Sequence, residues 1–513
     1  MIDKRVIVIN SENLETRVAL LHDNSLEEYQ VERKRSNNIV GSVFLGKIVN
    51  IQLSLRAVFV DIGLAKNAFM HFSDMLPASY EEQNLRTVDD KENHVQKRIN
   101  VKDIPSLFPL GSTLYVQVTK GPIGTKGPRV TTNISLPGRY LVLLPYSDHI
   151  GISKRITDSK ERDRLRKIMS SMDIPKGMGC ICRTVGEGRK SVFFKHDLNM
   201  LMESWNNVEN LKKESKKPRI GYKALSLLEK SLRDFLTEEI DEVIIDDKND
   251  FYFVRDYILK VAGKQMMKRI KLYQKASPIF EYYGIKDMIE RVLDRQVYLP
   301  SGGYICIDET EALIAVDVNT GSSKSNGNMK DVILITNLEA GDQIARQLRL
   351  RNMGGLVVID FIDMSSFADR EKVLRRMRKQ LKNDRAKTRV LPISNLGLMQ
   401  MTRQRDQESL LDRVYDPCPY CNGRGKVKSP LTISVEIQRH LKEVLNRKQW
   451  DKDIEVRIVM NPSVLARLKN EDELFLRELE NKYGKDLTFR GDSDIHIEEF
   501  QILDAKTGIN LIG

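Results

Sequence analysis

The sequence predicts a multidomain α/β protein with a small antiparallel β-barrel inserted near its start. Three observations carry that prediction. The chain has 513 residues, and at roughly 150 residues per domain that suggests about three or four domains. From about Asn37, short β-rich runs punctuated by glycine follow one another: Gly41-Ser-Val-Phe-Leu-Gly46, Ala57-Val-Phe59-Val-Asp-Ile-Gly63 and Asn67-Ala-Phe69-Met-His71. That spacing suits a small antiparallel barrel. From Gly284 onward strand and helix patterns alternate, the signature of layered α/β packing. Hydrophobic residues make up 41% and charged residues 30%, so the chain can bury substantial cores and is not a disordered scaffold.

Residues 1–34 alternate in places, as in Val6-Ile7-Val8-Ile9 and Arg17-Val18-Ala19-Leu20-Leu21, and read as a strand pair. After the barrel runs, residues 76–105 are polar and charged and read as an insertion loop. Strand signals resume at Thr113–Thr119, followed by a Gly/Pro-rich loop from Lys120 to Pro128. Strands are expected at Arg139–Leu144 and Gly179–Thr184, with a basic helix near 158–172. Residues 198–240 read as Lys/Glu-rich helices, and Asp241–Asp246 as a short buried strand. In the α/β region, strands are expected near 304–308, 312–319, 355–362 and 389–393, and helices near 331–351 and 367–385. The tail from Ser434 reads as another small α/β unit.

The chain carries 83 Lys+Arg against 71 Asp+Glu, a surplus of +12. This points to an anionic partner: nucleic acid, a membrane surface or a phosphorylated substrate. The start, MIDKRVIVIN, has too short an apolar run for a secretory signal. No stretch approaches the roughly 20 apolar residues of a membrane span. Five cysteines in this length are not a disulfide framework. The expectation is a cytoplasmic protein with reduced thiols and no membrane span.

The strongest carboxylate constellation is Ala315-Val-Asp317-Val-Asn319-Thr-Gly321 together with Val357-Val-Ile-Asp360-Phe-Ile-Asp363. Both are apolar strand runs interrupted by acids near their C-terminal ends, and acids in a buried strand are costly unless paired or bound to a cation. Asp317 and Asn319 are two apart and share a strand face; Asp360 and Asp363 are three apart and face opposite ways, so one of them should point where Asp317 points. Two carboxylates and an amide oxygen form a hard oxygen site suited to Mg²⁺. The alternative is that the acids pair with nearby arginines such as Arg346, Arg349 and Arg351.

A second constellation, Asp416-Pro-Cys418-Pro-Tyr-Cys421-Asn-Gly-Arg-Gly425, is half of a zinc knuckle. Structural zinc needs four ligands. Cys180, Cys182 and Cys306 are the other thiols, but Cys180 and Cys182 lie on one face of an apolar strand and fit better as core. The economical arrangement has two chains each donating Cys418 and Cys421, which makes zinc the clasp of a symmetric dimer; the alternative is a turn with two free thiols. In the barrel, Phe59 and Phe69 with Lys120 and Lys126 match the aromatic-plus-lysine means by which OB-type barrels hold single strands, unless both rings are core. The seven histidines are scattered. The run Arg375–Arg385 reads as a basic helix with a solvated face, or, near the acids, one that touches phosphate.

At these residues the chain resembles the bacterial ribonuclease E/G family over nearly its whole length. The stretches that carry the resemblance are Leu299-Pro-Ser-Gly-Gly303, Thr310-Glu-Ala-Leu313, Val316-Asp-Val-Asn319, Asn337-Leu-Glu-Ala340, Ile344-Ala-Arg-Gln-Leu-Arg-Leu-Arg351 and Gly354-Gly-Leu-Val-Val-Ile-Asp-Phe-Ile-Asp-Met364. Its length, without a long disordered C-terminal half, is nearest the ribonuclease G branch. The resemblance implies an endoribonuclease that cuts single-stranded, A/U-rich RNA by Mg²⁺-dependent hydrolysis, leaving 5′-phosphate and 3′-hydroxyl ends and preferring 5′-monophosphorylated substrates, in rRNA processing or mRNA decay. Asp317 and Asp360 would hold Mg²⁺ and Asn319 would help position the scissile phosphate. Phe59, Phe69 and Lys126 would contact RNA; Gly138, Val142, Arg183 and Thr184 would form a 5′-phosphate pocket; Cys418 and Cys421 would be the shared Zn²⁺ link of a homodimer, with tetramers left open. The implied layout is a ribonuclease-H-like unit in two parts (1–36 and 219–283), an OB-fold (37–128), a 5′-sensor region (129–218), a deoxyribonuclease-I-like catalytic α/β unit (284–415), a zinc link (416–430) and a small C-terminal α/β domain (431–513). One position of the 5′-phosphate pocket departs: the family pattern has arginine where this chain has Lys387, a point charge without a bidentate fork, so a weaker or differently oriented grip on the 5′-phosphate is expected there. The rival from another class is a non-catalytic RNA-binding scaffold, which would bind RNA without Mg²⁺-dependent cleavage.

Overall fold

The computed structural model describes residues 4–33, 39–75, 108–122, 126–214, 217–262, 264–321, 329–382, 384–404, 408–446, 455–484 and 486–512. They fall into two compact units, Met1–Leu410 and Leu411–Gly513. The insertion expected at 76–105 lies outside the described residues.

The first unit contains four sheets. One has five strands in the order Ile270–Leu272, Glu242–Ile245, Arg5–Ser11, Glu15–His22, Ser25–Arg33. The first three run parallel, and the last two are added antiparallel. Two stretches far apart in sequence thus build one sheet. Arg5–Ser11 lies at its centre, and its Val6-Ile7-Val8-Ile9 run is buried on both faces. Where the sequence suggested a strand pair in 1–34, there are three strands. The turn between the second and third is Asp23-Asn24, both at positive φ (47° and 59°), the two-residue geometry whose twist suits a hairpin. The third strand is mostly polar, which hid it.

The barrel is present. Strands Val43–Gln52, Ala57–Asp61, Ala68–His71, Arg129–Thr131 and Thr113–Lys120 pair in sequence around the ring, and the last pairs back with the first. Phe44, Ile48, Val58, Val60, Met70, Val116 and Val118 fill it. A Cβ at Gly46 would meet Val60 Cγ1 at 2.5 Å, so glycine lets the long first strand lie close to its neighbour. Arg129–Thr131 falls just beyond the boundary expected at 128.

A four-stranded sheet (Ile150–Ile152, Gly179–Cys182, Leu141–Leu144, Leu136–Pro137) packs with helices Ser159–Ser170 and Ser191–Glu214 around Phe194 and Trp205. The fourth sheet has six strands in the order Gln296–Tyr298, Tyr304–Glu309, Leu313–Asn319, Gly355–Asp360, Leu398–Arg403, Thr388–Val390, with helices Met329–Leu350 and Phe367–Leu381 packed together beside it.

In the second unit, strands Leu487–Gly491, Val456–Met460 and Phe500–Asp504 pack with helices Pro430–Asn446, Pro462–Asn470 and Glu473–Tyr483 around Ile433, Ile437, Ile458 and Leu468. Among the described residues no helix is long and apolar enough to cross a membrane.

Candidate functional site

Strict alternation sets the face of each acid. In Leu313–Asn319, Ile314, Val316 and Val318 are buried, while Asp317 is exposed and Asn319 half-buried. In Gly355–Asp360, Val357 and Ile359 are buried and Asp360 is exposed. Helix Met329–Leu350 packs against the first of these strands, so the apolar positions face the helices and the acids face the open side. An antiparallel or mixed sheet with one covered face reads this way. The two strands run parallel with Asp317 directly opposite Asp360. Register partners share a face, and neighbouring strands lie about 4.8 Å apart, so the two carboxylates stand side by side. Asn319 Nδ2 donates to Asp317 Oδ2 at 2.9 Å. The strand ends at Asp360; Asp363 is exposed in the loop beyond.

The acids therefore do not sit in a buried strand, because the helices cover only one face of this sheet. Nor do Arg346, Arg349 and Arg351 pair with them, and Arg295, whose charge does reach Asp317, is held bidentately by Asp308. Arg346 donates to Leu26 O and Ser25 Oγ, Arg349 lies 3.9 Å from Glu27, and Arg351 donates to Gln347 Oε1 and Asp294 O. Partial burial, then the like charges of Asp317 and Asp363, raise the Asp360 carboxyl above its usual range. A pair of crowded hard oxygens with an amide beside them fits a hard divalent cation that keeps waters among its ligands. Among the described residues, no group of three or more His, Cys, Asp or Glu side chains is placed to hold a metal, so a cation here would rest on this pair.

The residues around the pair explain the motifs that flank it. Asn337, fully buried, donates to Ile362 O at 2.8 Å and accepts from Ile362 N at 3.1 Å, which clamps the loop between Asp360 and Asp363. A Cβ at Gly303 would lie 2.7 Å from Asn319 O. Gly397, at φ +78°, would place a Cβ 2.9 Å from Phe361 O, and there the chain turns into Leu398–Arg403, the strand paired with Asp360. The basic run at 375–385 does not reach the acids. Its helix packs on Met329–Leu350, on the covered side of the sheet, and Arg376 is held bidentately by Asp342 of that helix at 2.7 Å.

On the barrel, Phe59 and Phe69 are cross-strand partners with ring centroids 5.9 Å apart. Val58, Val60, Ala68 and Met70 point inward and are fully buried, so both rings are half-buried on the outer surface rather than in the core. Lys126 is exposed nearby. Phe69 N donates to Pro128 O at 2.7 Å, and a Cβ at Gly127 would fall 2.1 Å from Asn67 O, so the lysine loop lies against the strand bearing Phe69. Lys120 is exposed at its strand end.

Val142 lies in the four-stranded sheet, and Gly138, Arg183 and Thr184 lie just beyond the ends of its strands. Val142 pairs with Ile181 and Pro137. Arg183 N donates to Tyr140 O at 2.8 Å, and Arg183 Nη1 to Gly138 O at 2.7 Å. Thr184 opens the short turn that follows. Asp197, not singled out from sequence, accepts from the backbone N–H groups of Arg139, Tyr140 and Leu141 at 3.1, 2.8 and 2.9 Å. Asp234, also not anticipated, accepts from Arg183 Nη2 at 2.8 Å. Lys387 is exposed beside strand Thr388–Val390. Its segment is tied to this region because Arg155 Nη2 donates to Arg385 O at 2.7 Å and Arg385 Nη2 to Asp234 O at 3.1 Å.

In the second unit, Cys418 is exposed and Cys421 half-buried. Backbone N–H groups of Cys421 and Tyr420 directed at Cys418 hold its thiol below the usual value, and Gly425 N donates to Cys421 Sγ at 3.2 Å. Amide hydrogen bonds of this kind favour thiolates, the form that binds metal. Cys180 and Cys182 are fully buried, their thiols pushed up to about 12 by burial. That is the state of core residues.

An exposed carboxylate pair on an open sheet face, two aromatic rings on the outside of a barrel and a C-x-x-C turn are the features that bear on function. The chain belongs to the ribonuclease E/G family: residues 135–406 match the model described as "Ribonuclease E/G family", and residues 417–506 match "RNase E/G, Thioredoxin-like domain". It is 38% identical over 497 residues to Ribonuclease G of Escherichia coli (strain K12), covering 97% of this chain and 99% of that protein. It is 36% identical over 500 residues to Ribonuclease G of Haemophilus influenzae, again covering 97% and 99%. To Ribonuclease E of the same organism it is 33% identical over 506 residues, 98% of this chain but 52% of that longer protein.

Proposed function

We propose that this chain is an endoribonuclease that hydrolyses phosphodiester bonds of single-stranded, A/U-rich RNA, with Asp317 and Asp360 holding a catalytic Mg²⁺ and Asn319 positioning the scissile phosphate. The observation that carries the reading is the in-register carboxylate pair on the open face of the six-stranded sheet. The family supplies the ribonuclease activity; the open face leaves both acids exposed to an approaching strand.

Bound there, Mg²⁺ would lower the pKa of a coordinated water and neutralise charge developing on the phosphate. The chain's own residues do the rest. Asp317 and Asp360 present hard oxygens from rigid strand positions, and Asn337 fixes the loop beyond Asp360. Asn319 already donates to Asp317, so its amide is held beside the reacting position. Attack of water on phosphorus with the 3′ oxygen leaving as the hydroxyl gives 5′-phosphate and 3′-hydroxyl products and does not use the ribose 2′-hydroxyl as nucleophile; preference for RNA must come from contacts elsewhere. Phe59 and Phe69 on the barrel, read here as an OB-fold, would stack bases, with Lys126 on the backbone. Gly138, Val142, Arg183 and Thr184, with Lys387 nearby, would receive a 5′-monophosphate. Cys418 and Cys421 from two chains would share one Zn²⁺ and join a homodimer. The five-stranded sheet, with an antiparallel trio extended by two parallel strands from residues 242–272, supports reading it as the ribonuclease-H-like unit; the six-stranded sheet is read as the deoxyribonuclease-I-like unit on the resemblance alone. We further infer a cytoplasmic role in rRNA processing or mRNA decay.

The test is cleavage of an end-labelled A/U-rich RNA and its DNA counterpart with Mg²⁺ and with EDTA. The expected result is Mg²⁺-dependent cuts in RNA alone, with 5′-phosphate products. RNA binding without cleavage would replace this reading with a scaffold.

A further inference from the structure

We propose that Asp234 is the positioning residue for recognition of an RNA 5′-monophosphate: its carboxylate fixes the guanidinium of Arg183 and sets the charge of the pocket. The inference rests on the reading of Gly138, Val142, Arg183 and Thr184 as that pocket.

Asp234 lies on helix Leu227–Phe235, 51 residues from Arg183 in sequence and outside the sheet that carries the pocket. Its Oδ1 accepts from Arg183 Nη2 at 2.8 Å and from Arg233 Nε at 2.9 Å; its Oδ2 accepts from Arg233 Nη2 at 2.9 Å. Arg385 Nη1 stands 3.9 Å from Oδ2, its Nη2 donates to Asp234 O, and its guanidinium lies 4.2 Å from the centroid of the Phe235 ring. One carboxylate thus gathers arginines from the pocket sheet, from its own helix and from the segment that leads to Lys387.

Two consequences follow from this geometry. Arg183 is held at two points, Nη1 on Gly138 O and Nη2 on Asp234, so its plane is set before any ligand arrives. An arginine pre-organised in this way loses less rotamer freedom on binding. The second consequence concerns charge. Arg183, Arg233 and Arg385 all stand around this one carboxylate, so positive charge is in excess about Asp234 itself. A phosphate monoester carries roughly −1.5 to −2 at pH 7, whereas a backbone diester carries about one negative charge per phosphate. The cluster is therefore matched to a terminal monophosphate and mismatched to the interior of a strand. Removing the Asp234 charge would free Arg183 and leave three like charges that any backbone phosphate could satisfy. Asp234 holds Arg183 directly, through a contact that does not involve the Lys387 side chain.

The experiment compares kcat and KM for otherwise identical 5′-monophosphorylated and 5′-hydroxyl RNAs in the wild type and Asp234→Asn, with a thermal melt of each. The wild type is expected to prefer the monophosphorylated RNA. In Asp234→Asn that preference should fall about tenfold, the scale of one lost charge-assisted hydrogen bond, through a higher KM for monophosphorylated RNA. Cleavage of 5′-hydroxyl RNA reports that the enzyme is folded. A wild type without preference would remove the pocket reading itself. A discriminating wild type with an equally discriminating Asp234→Asn would overturn the role of Asp234 and leave the pocket standing. If Asp234→Asn melts early and cleaves neither RNA, Asp234→Glu, which keeps the charge and displaces the carboxylate by one methylene, decides. A reduced preference supports the proposal; an unchanged preference, or loss of both activities, overturns it.

Discussion

Gly138→Ala is a single-methyl test of how the pocket is built. A Cβ at this position would stand 2.6 and 2.8 Å from the two carboxylate oxygens of Asp197, where ordinary contact needs about 3.5 Å. The side chain of Asp197 must therefore recede by most of an ångström. It has little room to do so, because it is buried and bonded to three backbone N–H groups at 3.1, 2.8 and 2.9 Å. A shift of that size takes those bonds past the usual limit near 3.2 Å. A hydrogen bond to a charged group is worth about 1.5–3 kcal/mol. Losing one and weakening the others should cost roughly 2–4 kcal/mol, a fall of several degrees in melting temperature. The same methyl tilts the Gly138 carbonyl that receives Arg183 Nη1, so the preference for 5′-monophosphorylated RNA should weaken as well. Differential scanning calorimetry and paired cleavage assays read the two effects. A variant that melts and discriminates like the wild type would refute the reasoning. One that melts early but discriminates normally would confine Gly138 to a structural role.

The remaining expectations are as follows. Phe69→Ala should weaken RNA binding by roughly 5- to 150-fold, the range of 1–3 kcal/mol for one stacked base, measured by fluorescence anisotropy; an unchanged Kd would return the ring to a packing role. Cys418→Ser should abolish zinc binding, from about one ion per two chains, and shift the sedimenting species from dimer to monomer. A zinc-loaded dimer in that variant would remove the clasp. Burial would raise the Asp234 carboxyl, but hydrogen bonds from Arg233 and the charges of Arg183 and Arg385 outweigh it and hold the group well below the usual carboxylate range. A depressed acid contributes stability that is complete above its unfolded pKa near 4 and is lost as pH falls toward the folded value. Melting temperature should therefore decline less steeply below about pH 4 in Asp234→Asn than in the wild type; parallel curves would contradict this.

The parts of this molecule that were legible in the sequence are those set by local pattern. Alternation put Asp317 and Asn319 on one face, and C-x-x-C with proline and glycines marked a turn, in which Asn422 and Gly423 take positive φ. The glycine-punctuated runs marked the barrel. What was not legible depends on which elements meet. Strand parity left Asp360 and Asp363 as rivals, and only the parallel register with Leu313–Asn319 places Asp360 beside Asp317. The exposure of that pair could not be read from the apolar residues around it, because burial depends on how many faces of the sheet the helices cover. Leu398–Arg403 was missed although Met399 and Met401 alternate with Gln400 and Thr402; neither methionine nor glutamine favours strands strongly. Asp197 and Asp234 carried no signal at all, since each meets the backbone or arginine of the pocket region across 50 or more residues.

Single-turnover cleavage by Asp317→Asn, Asp360→Asn and the double variant, at saturating RNA and Mg²⁺, bears on the carboxylate pair itself. If both acids hold one ion, each single change should slow cleavage by at least about 100-fold, equivalent to several kcal/mol of lost transition-state stabilisation. The double variant should then be little worse than either single one, because residues that act as a unit are not additive. Wild-type rates in either single variant would contradict the shared site.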